Sequence, residues 1–414
     1  MERLLVLPSK RILYVTQWYD PEPAFKGATF VYGLIDRGYD VDVLTAFPNY
    51  PRGKIYSGYS LRPFQKKQMD RYTLYRVFAY PSHDRSSLGR VFNYASFFFS
   101  CLFFGLFQVR NYDAVLVYHP PIMPAFAASL FAWFWRKPMV LDVQDLWPDS
   151  VMASGMGSPM LGKILNWICD FVYRRSAAII VQSDGIKMRL IERGVPQGKL
   201  TRIYNWATYK PNFIGGEPAP NTIIRHFEGR FNFVYGGNLG QAQGLESLID
   251  AVKLAYAAND KIRLHLIGEG ISKLSLKAYA EAKGAGSAIF HDAISRPAMD
   301  RVFDQADVLV LQLKADPLFS ITVPSKLQHY LACGKPIIGG LQGEAAEILQ
   351  DSKAGTVVRP EDREAMAGAM VQLSKTHLHA RNEMGRLGRL FCDQQMSFPI
   401  SLDHLDRTIK AILP

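Results

Sequence analysis

The chain has 414 residues, of which 48% are hydrophobic and 21% charged, and its formal net charge is +11. This length exceeds one compact core of ordinary size, and the composition excludes a disordered protein. The four cysteines lie far apart without paired spacing, which excludes a disulfide framework or a cysteine zinc site and indicates a reducing compartment. No cleavage pattern follows the short apolar piece at residues 4–7, so we expect no signal peptide.

Strands and helices alternate in the first half of the chain. A helical repeat covers residues 26–36. Runs of β-branched and aromatic residues predict strands at 12–18, 41–47, 114–119, 139–145 and 177–182. Apolar strands that alternate with helices predict a parallel sheet covered on both faces.

A second alternating series follows a segment at 205–221 that is rich in Pro, Gly, Asn and Thr and reads as a linker. Its strands are predicted at 231–237, 263–268, 288–291, 308–313, 336–340 and 356–359. The pattern therefore predicts an α/β protein with two doubly wound, Rossmann-like domains that face each other across a cleft. We expect the domains at 1–207 and 208–397, with an amphipathic C-terminal helix, 398–414, packing back on the first.

Basic residues concentrate just before an apolar helix. Between Arg52 and Arg90 nine basic residues face only Asp70 and Asp84, a balance of +7. Residues 91–109 carry no charge and include seven phenylalanines. A basic segment beside an apolar aromatic helix suits an anionic bilayer, at about 1 kcal/mol per Lys or Arg near the surface. We therefore predict contact with an anionic membrane surface through residues 52–109.

Three other interpretations of the same segment exist. Nucleic acid would also attract the charge, but no nucleic-acid motif accompanies it, so none is expected as a partner. A buried core helix beside a solvated basic face is the plainer alternative. A transmembrane span needs about 20 apolar residues, whereas residues 91–109 include Asn93, Ser96, Ser100 and Gln108. We expect a peripheral, monotopic protein.

Two segments could bind a phosphate group. A glycine-rich turn that includes Gly237, Asn238 and Gly244 follows a predicted strand and opens a helix, where backbone amides would face an anion. Any tight strand-to-helix turn also favours glycine. The second segment places Pro324 in the first turn of a helix, with Ser325 and Lys326 next to it. A plain N-terminal cap is the alternative there.

Polar side chains also end two strands of the first series. His119 closes one strand, and Asp142 and Asp145 close the next, followed by Trp147. A parallel α/β sheet binds ligands at the carboxyl ends of its strands, so these side chains are candidates for a sugar site. A lone histidine is more often structural, and Asp149 reads as a simple helix cap.

The order of these motifs resembles glycosyltransferase family 4, which has the GT-B fold. The resemblance covers nearly the whole chain. It rests on residues 17–23 (QWYDPEP), 37–41 (RGYDV), 45–51, 119–121 (HPP), 145–148 (DLWP), 205–206 (NW), 268–270 (GEG) and 324–336. The last segment, PSKLQHYLACGKP, is most similar to the branch of N-acetyl-L-fucosamine transferases of O-antigen and capsule biosynthesis.

The resemblance implies roles for individual residues. His119 and Lys326 are the expected catalytic residues, and Lys26 and Asp145 are expected to bind the acceptor. The expected donor-binding residues are Gly237, Asn238, Gln243, Gly244, Thr322, Ser325, Gln328 and His329.

This chain also departs from the family pattern. Ile321 and His329 occupy the positions of two glutamates, the second of which holds the donor ribose, so Gln328, His329 or another residue must replace it. Asn238 and Gln243 occupy the positions of an Arg and a Lys that bind the diphosphate. Lys326 is the expected substitute for these cations, with Lys26 across the cleft as a second.

The function implied by the resemblance is retaining transfer of a sugar from a UDP-sugar, without a metal or other cofactor. The expected acceptor is an undecaprenyl-diphosphate-linked sugar at the cytoplasmic face of the bacterial inner membrane. Two alternatives stay open: a nucleotide-sugar 2-epimerase of the same fold, and a non-catalytic component of a polysaccharide assembly complex.

Overall fold

A computed structural model describes residues 9–82, 87–153, 158–209 and 217–413. Asp84 and Arg85 of the basic segment, the apolar piece at 4–7 and part of the predicted linker, 210–216, lie outside these ranges. The described chain forms two compact units. The first holds the residues up to Gln182, then Ile186–Ile203 and the chain from Leu402 onward; the second holds Ser183–Gly185 and Tyr204–Ser401.

The first unit contains a sheet with eight strands among the described residues. They are β1 Arg11–Val15, β2 Asp40–Ala46, β3 Phe64–Gln68, β4 Thr73–Val77, β5 Ala114–His119, β6 Met139–Val143, β7 Ala178–Val181 and β8 Leu200–Arg202. Their order is β3-β4-β2-β1-β5-β6-β7-β8. The strands pair in parallel, except that β3 runs antiparallel to β4. All five strands predicted in this half are present.

The strands β3 and β4 were not predicted, and they change the interpretation of the basic segment. β3 is an edge strand whose lysines, Lys66 and Lys67, are exposed, as expected of a charged edge that resists further pairing. Arg76 of β4 is buried and donates hydrogen bonds to the backbone oxygens of Ala46 and Asp20 at 2.6 and 2.5 Å. Arg76 therefore has a structural role and does not contribute to a basic membrane surface.

Helices cover the first sheet. In chain order they are α1 Ala28–Ile35, α2 Ser87–Gln108, α3 Ile122–Phe134, α4 Asp149–Ala153, α5 Pro159–Arg175 and α6 Asp184–Glu192. One side of α2 is buried through Phe97, Phe98 and Phe104. Among the described residues, one helix, Leu88–Asn111, is long and apolar enough by length and composition to cross a membrane.

The second unit contains a sheet in which the described strands are all parallel, in the order β11-β10-β9-β12-β13-β14. They are β9 Phe231–Gly236, β10 Ile262–Ile267, β11 Ala288–His291, β12 Val308–Gln312, β13 Ile337–Gly340 and β14 Gly355–Val358, so each strand predicted here is present. The helices are α7 Asn221–Ile224, α8 Leu245–Ala258, α9 Lys273–Ala282, α10 Arg296–Gln305, α11 Pro317–Ser320, α12 Ser325–Cys333, α13 Glu344–Asp351, α14 Arg363–Lys375 and α15 Leu378–Gln395.

The C-terminal helix α16, Phe398–Ile412, packs on the first unit from Leu402 onward. Its buried side chains are Leu402, Leu405 and Ile409. Two polar contacts fix the same face: the Arg37 guanidinium donates to Asp403 at 2.6 Å, and the Tyr39 hydroxyl donates to Asp406 at 2.8 Å. The chain therefore ends on the unit in which it begins.

We predict that Ile409→Ala destabilises the first unit. The truncation leaves a cavity beneath α16, and such changes cost about 2–5 kcal/mol of unfolding free energy. Ile412→Ala is the matched control, since it removes the same atoms from a partly exposed position of the same helix. Denaturant titration should show a clearly larger loss for Ile409→Ala, and equal losses would contradict the packing described here.

Candidate functional site

Backbone contact between two loops shapes the glycine-rich turn of the second unit. Gly237 has φ +126° and Gly268 has φ +154°. A Cβ atom on Gly268 would lie 1.9 Å from the carbonyl oxygen of Gly237, and one on Gly270 would lie 2.3 Å from that of Leu239. The amide of Leu239 also donates to the carbonyl of Glu269 at 2.8 Å. The loops that follow β9 and β10 therefore touch along their backbones, which only glycine permits here.

Lys326 lies directly against this turn. A Cβ atom on Gly237 would approach its Cε atom to 2.7 Å. The Lys326 ammonium donates to the Tyr235 hydroxyl and lies 3.8 Å from the centre of the Tyr235 ring. Burial lowers the pKa of Lys326 to about 7, because the protein removes water from the ammonium. The structure thus brings together two residues, Gly237 and Lys326, that the sequence proposed separately for phosphate binding.

Two hydroxyl groups accompany Lys326. Pro324 caps α12, and Ser325 is the first residue of that helix. The Ser325 side chain is exposed, and Thr322 is partly exposed just before the helix. The first amides of a helix lack intrahelical acceptors and face an approaching anion. This end of α12 therefore offers a cation, a hydroxyl and free amide donors within one turn.

Asn238, Gln243 and Gly244 lie in the glycine-rich turn, but they do not replace the cations of the family pattern. Asn238 is exposed. The Gln243 side-chain oxygen accepts a hydrogen bond from the Gly240 amide at 3.1 Å, which stabilises the turn itself. Gly244 adopts the left-handed conformation, with φ 56°, at the start of α8. The turn itself therefore carries no charged side chain. Lys326 lies against Gly237, whereas the Lys314 side chain lies against Gly244, beside Glu361.

Gln328 and His329 are engaged inside the protein. Gln328 is 1% exposed, and its amide, oriented to donate, reaches the carbonyls of Pro324 at 2.8 Å and Ser325 at 3.0 Å. The His329 Nε2 atom lies 2.8 Å from an Asp300 oxygen, and its Nδ1 atom lies 3.3 Å from the Thr208 hydroxyl. The Gln328 amide nitrogen and both His329 ring nitrogens thus have partners inside the protein, and ribose binding by either residue stays a prediction.

In the first unit, His119 ends β5 and has no exposed surface. Neither ring nitrogen has a hydrogen-bond partner among the described residues. The Trp147 ring packs edge-on at 5.8 Å from the centre of the imidazole. Burial lowers the pKa of His119 to about 3, so the imidazole is neutral at pH 7. An unpaired buried polar group costs about 1–3 kcal/mol, which marks this position as unusual.

A buried polar network lies at the same strand ends. The Lys26 ammonium pairs with Asp142, and both are buried. Asp142 also accepts a hydrogen bond from the Gln144 amide at 2.6 Å, and the Gln144 carbonyl accepts one from Gln182 at 2.5 Å. The carboxylate offsets the charge of Lys26, which argues against Lys26 as a second cation for the diphosphate. The sequence did not indicate this pair.

Asp145 differs from Asp142 in its environment. Its side chain is exposed, yet desolvation by surrounding protein raises the pKa of its carboxyl group. A carboxylate that is accessible and poorly solvated suits hydrogen bonds from sugar hydroxyls. Of the two residues expected to bind the acceptor, Asp145 is thus the one that a ligand can reach in this structure.

No group of three or more His, Cys, Asp or Glu residues within the described ranges is arranged to hold a metal ion.

Comparisons with known proteins agree with this geometry. Residues 28–206 match the model of the glycosyl transferase 4-like domain, and residues 230–376 match that of glycosyl transferases group 1. The chain carries the two domains of a GT-B glycosyltransferase. The structure accounts for the match, since one domain model falls on each sheet.

Two bacterial relatives align over most of this glycosyltransferase. It is 25% identical over 313 residues to a probable glycosyltransferase, WbjE, of Pseudomonas aeruginosa, covering 74% of this chain and 76% of the relative. It is 26% identical over 354 residues to a putative colanic acid biosynthesis glycosyl transferase, WcaI, of Escherichia coli K12, covering 82% and 85%.

Solved GT-B structures align with nearly all of this chain. Anabaena Alr3699/HepE in complex with UDP matches with a TM-score of 0.65 at 14% identity, covering 97% of this chain and 100% of the other. Sucrose-phosphate synthase from Thermosynechococcus elongatus matches with a TM-score of 0.67 at 15% identity, covering 97% and 99%. At these identities the likeness establishes the fold, and the substrates have to be argued from the residues.

We predict that His119 makes the folded state sensitive to acid. Its folded pKa, about 3, lies below the unfolded value of about 6.5. The unfolded chain therefore takes up this proton first, so the stability that neutral His119 maintains above pH 6.5 is lost as the pH falls toward 3. Relative to His119→Gln, the wild type should lose up to about 1.4 kcal/mol of unfolding free energy per pH unit between pH 6 and 4.

Denaturant titrations of both proteins at several pH values measure this difference. Parallel curves for the wild type and His119→Gln would show that His119 is not held neutral by burial.

Proposed function

We propose that the protein is a retaining glycosyltransferase that moves a sugar from a UDP-sugar to a lipid-linked saccharide at the cytoplasmic face of the bacterial inner membrane. The observation that carries the proposal is the contact of Lys326 with the Gly237 turn at the start of α12. This contact forms a cationic, amide-lined phosphate site at the carboxyl end of a parallel sheet, where such folds bind nucleotides.

The comparisons support the substrate classes. Solved structures of similar fold contain UDP and UDP-glucose, which favours a uridine nucleotide here. The relative named for colanic acid biosynthesis supports a role in surface polysaccharide assembly, such as O-antigen or capsule. The resemblance of residues 324–336 to N-acetyl-L-fucosamine transferases makes UDP-N-acetyl-L-fucosamine the first donor to test.

The reaction creates negative charge on the leaving diphosphate. In the proposed mechanism the acceptor hydroxyl attacks the anomeric carbon on the side from which UDP departs, and a UDP oxygen takes the hydroxyl proton. Lys326 and the free amides at Ser325 stabilise the departing charge, while the protein supplies positioning. The family resemblance assigns neutral His119 to the donor sugar, and its two unpaired ring nitrogens can serve there once the buried ring becomes accessible. Exposed Asp145 accepts hydrogen bonds from acceptor hydroxyls.

We predict that UDP binding takes up a proton through Lys326. Its pKa is about 7 without an anion, and a bound diphosphate raises that pKa because it favours the charged ammonium. Affinity for UDP should therefore fall by about threefold per pH unit close to pH 7, where about half a proton is taken up, and by up to tenfold per pH unit from pH 7.5 to 9. Calorimetric titration measures both the affinity and the proton uptake.

Lys326→Met should bind UDP more weakly and lose this pH dependence, with GDP, ADP and dTDP as specificity controls. A pH dependence that survives in Lys326→Met would remove Lys326 from the diphosphate site. If none of the four nucleotides binds the wild type, the donor site assigned here is wrong and the non-catalytic alternative gains support.

We further predict that Lys326→Ala and His119→Ala abolish transfer by folded protein. Each removes a contact proposed for the donor, so product formation should fall by at least about a hundredfold, the scale for losing one charge-stabilising group. NMR of the product reports the anomeric configuration, and inversion would contradict the proposed mechanism. Release of a 2-epimerised UDP-sugar without transfer would identify the epimerase alternative.

A further inference from the structure

The outward side of α2 presents an aromatic stripe. Phe99, Phe103 and Phe107 follow one another at helical spacing and are 67%, 69% and 59% exposed. Phe92, two turns earlier, is also exposed. The opposite side of the same helix contributes Phe97 and Phe104 to the core. The predicted apolar helix is therefore packed in the core on one side and has an exposed aromatic surface on the other. Its sequence thus fits both the buried core helix and the membrane-contacting helix considered above.

A second helix outside residues 52–109 shows the same feature. Met160, Ile164 and Trp167 of α5 lie at i, i+4 and i+7, and they are 74%, 47% and 57% exposed. The buried side of α5 includes Ile168 and Val172. At the end of α3, Trp133 and Phe134 are exposed as well. Exposed aromatic side chains in this number exceed the scattered apolar residues of an ordinary surface.

These helices form one layer. The Phe98 ring of α2 stacks on Phe126 of α3 at 5.2 Å, and Phe126 meets Trp167 of α5 edge-on at 5.9 Å. A Cβ atom on Gly105 of α2 would lie 2.0 Å from the Phe131 ring of α3, so these two helices pack closely. The exposed apolar residues of α2, α3 and α5 thus belong to a single packed group of helices, which we term the three-helix face.

Positive charge borders the three-helix face. Lys163, Arg174 and Arg175 of α5 are exposed, as is Arg136 after α3. The Arg175 guanidinium lies 4.7 Å from the Trp133 ring centre and 5.5 Å from that of Phe171. Residues 87–108 contain no acidic residue. Tryptophan and arginine side by side at the edge of an apolar surface suit the headgroup region of an anionic bilayer.

We propose that α5 and the end of α3 join α2 in docking the protein on an anionic lipid bilayer, with α2 lying along the surface. This inference deepens the proposed function, since it names the lipid-binding face of a transferase with a lipid-linked acceptor. A membrane-spanning α2 is disfavoured because crossing would remove Phe97 and Phe104 from the core. A flat orientation lets α2 and α5 bury their exposed stripes together while their inner sides stay packed.

The start of α2 lies close to the carboxyl ends of the first sheet, where the acceptor is proposed to bind. Near the start of α2, the buried Asn93 accepts a hydrogen bond from the Gln17 amide at 2.6 Å, and Gln17 follows β1 at the carboxyl edge of the sheet. The Gln17 side-chain oxygen has no partner within the described part of the chain. An acceptor anchored in lipid at the start of α2 would therefore meet the strand ends that carry His119 and Asp145.

Vesicle flotation tests this face without any acceptor or donor. The probe is vesicles of phosphatidylglycerol and phosphatidylethanolamine, with pure phosphatidylcholine vesicles for comparison. We expect the double variant Ile164→Ser, Trp167→Ser to lower partitioning into the anionic vesicles at least tenfold. The matched control is Ile271→Ser, Leu274→Ser, which removes two exposed apolar side chains from the second unit and should leave partitioning unchanged.

The fluorescence of Trp167 reports directly how deeply α5 inserts into the bilayer. In the full chain, brominated lipid should quench more fluorescence from the wild type than from Trp167→Phe. Unchanged partitioning of the α5 variant, or equal binding to phosphatidylcholine, would overturn the proposal. Self-association that disappears in the α5 variant, without vesicle binding by the wild type, would assign the face to a second copy and also overturn it.

Calorimetric titration of UDP separates this inference from the proposed function. The α5 variant should bind UDP as the wild type does, and denaturant titration against the wild type checks that its first unit is folded. Vesicle binding by a wild type that binds no nucleotide would support the three-helix face and count against the proposed transferase.

Discussion

The central physical constraint is a partly buried ammonium group that has no carboxylate partner among the described residues. Lys326 rests on the backbone of Gly237 and on the Tyr235 hydroxyl, neither of which carries a compensating charge. The protein tolerates the desolvation by lowering the pKa of Lys326 to about 7. A diphosphate would supply the missing negative charge, so ligand binding and the protonation of Lys326 are coupled. The glycines of the β9 and β10 loops are needed because side chains there would displace this arrangement.

The fold was largely predictable because buried parallel strands are continuous apolar runs. The four inner strands of the second sheet are mostly buried and apolar, whereas the edge strands β11 and β14 are partly exposed, and the sequence indicated all six. The strands β3, β4 and β8 were not predicted, and β8 offers little signal because it has only three residues, of which Leu200 alone is buried. β3 is an edge strand with exposed lysines, and β4 contains Arg76, a charge that is buried against backbone oxygens. Charge in a sequence usually indicates exposure, and Arg76 is an exception that depends on the tertiary structure.

The parts of the candidate site that depend only on neighbouring residues in the chain were predictable. Glycines after a strand and a proline at a helix start are readable from sequence, which is how Gly237 and Lys326 were found. Pairings between residues far apart in the chain cannot be read from the sequence. Examples are Lys26 with Asp142, His329 with Asp300, and Lys326 with Tyr235. Such pairings decide whether a polar side chain is available to a ligand, and they reduced the roles expected of Lys26 and His329.

Hydrogen–deuterium exchange with and without UDP locates the bound nucleotide without assuming a role for any residue. We expect slower exchange of backbone amides in residues 236–244 and in the first turn of α12, with the amides of α16 unaffected. Protection that is confined to other strand ends, or absent at saturating UDP from both the glycine-rich turn and the start of α12, would contradict this expectation.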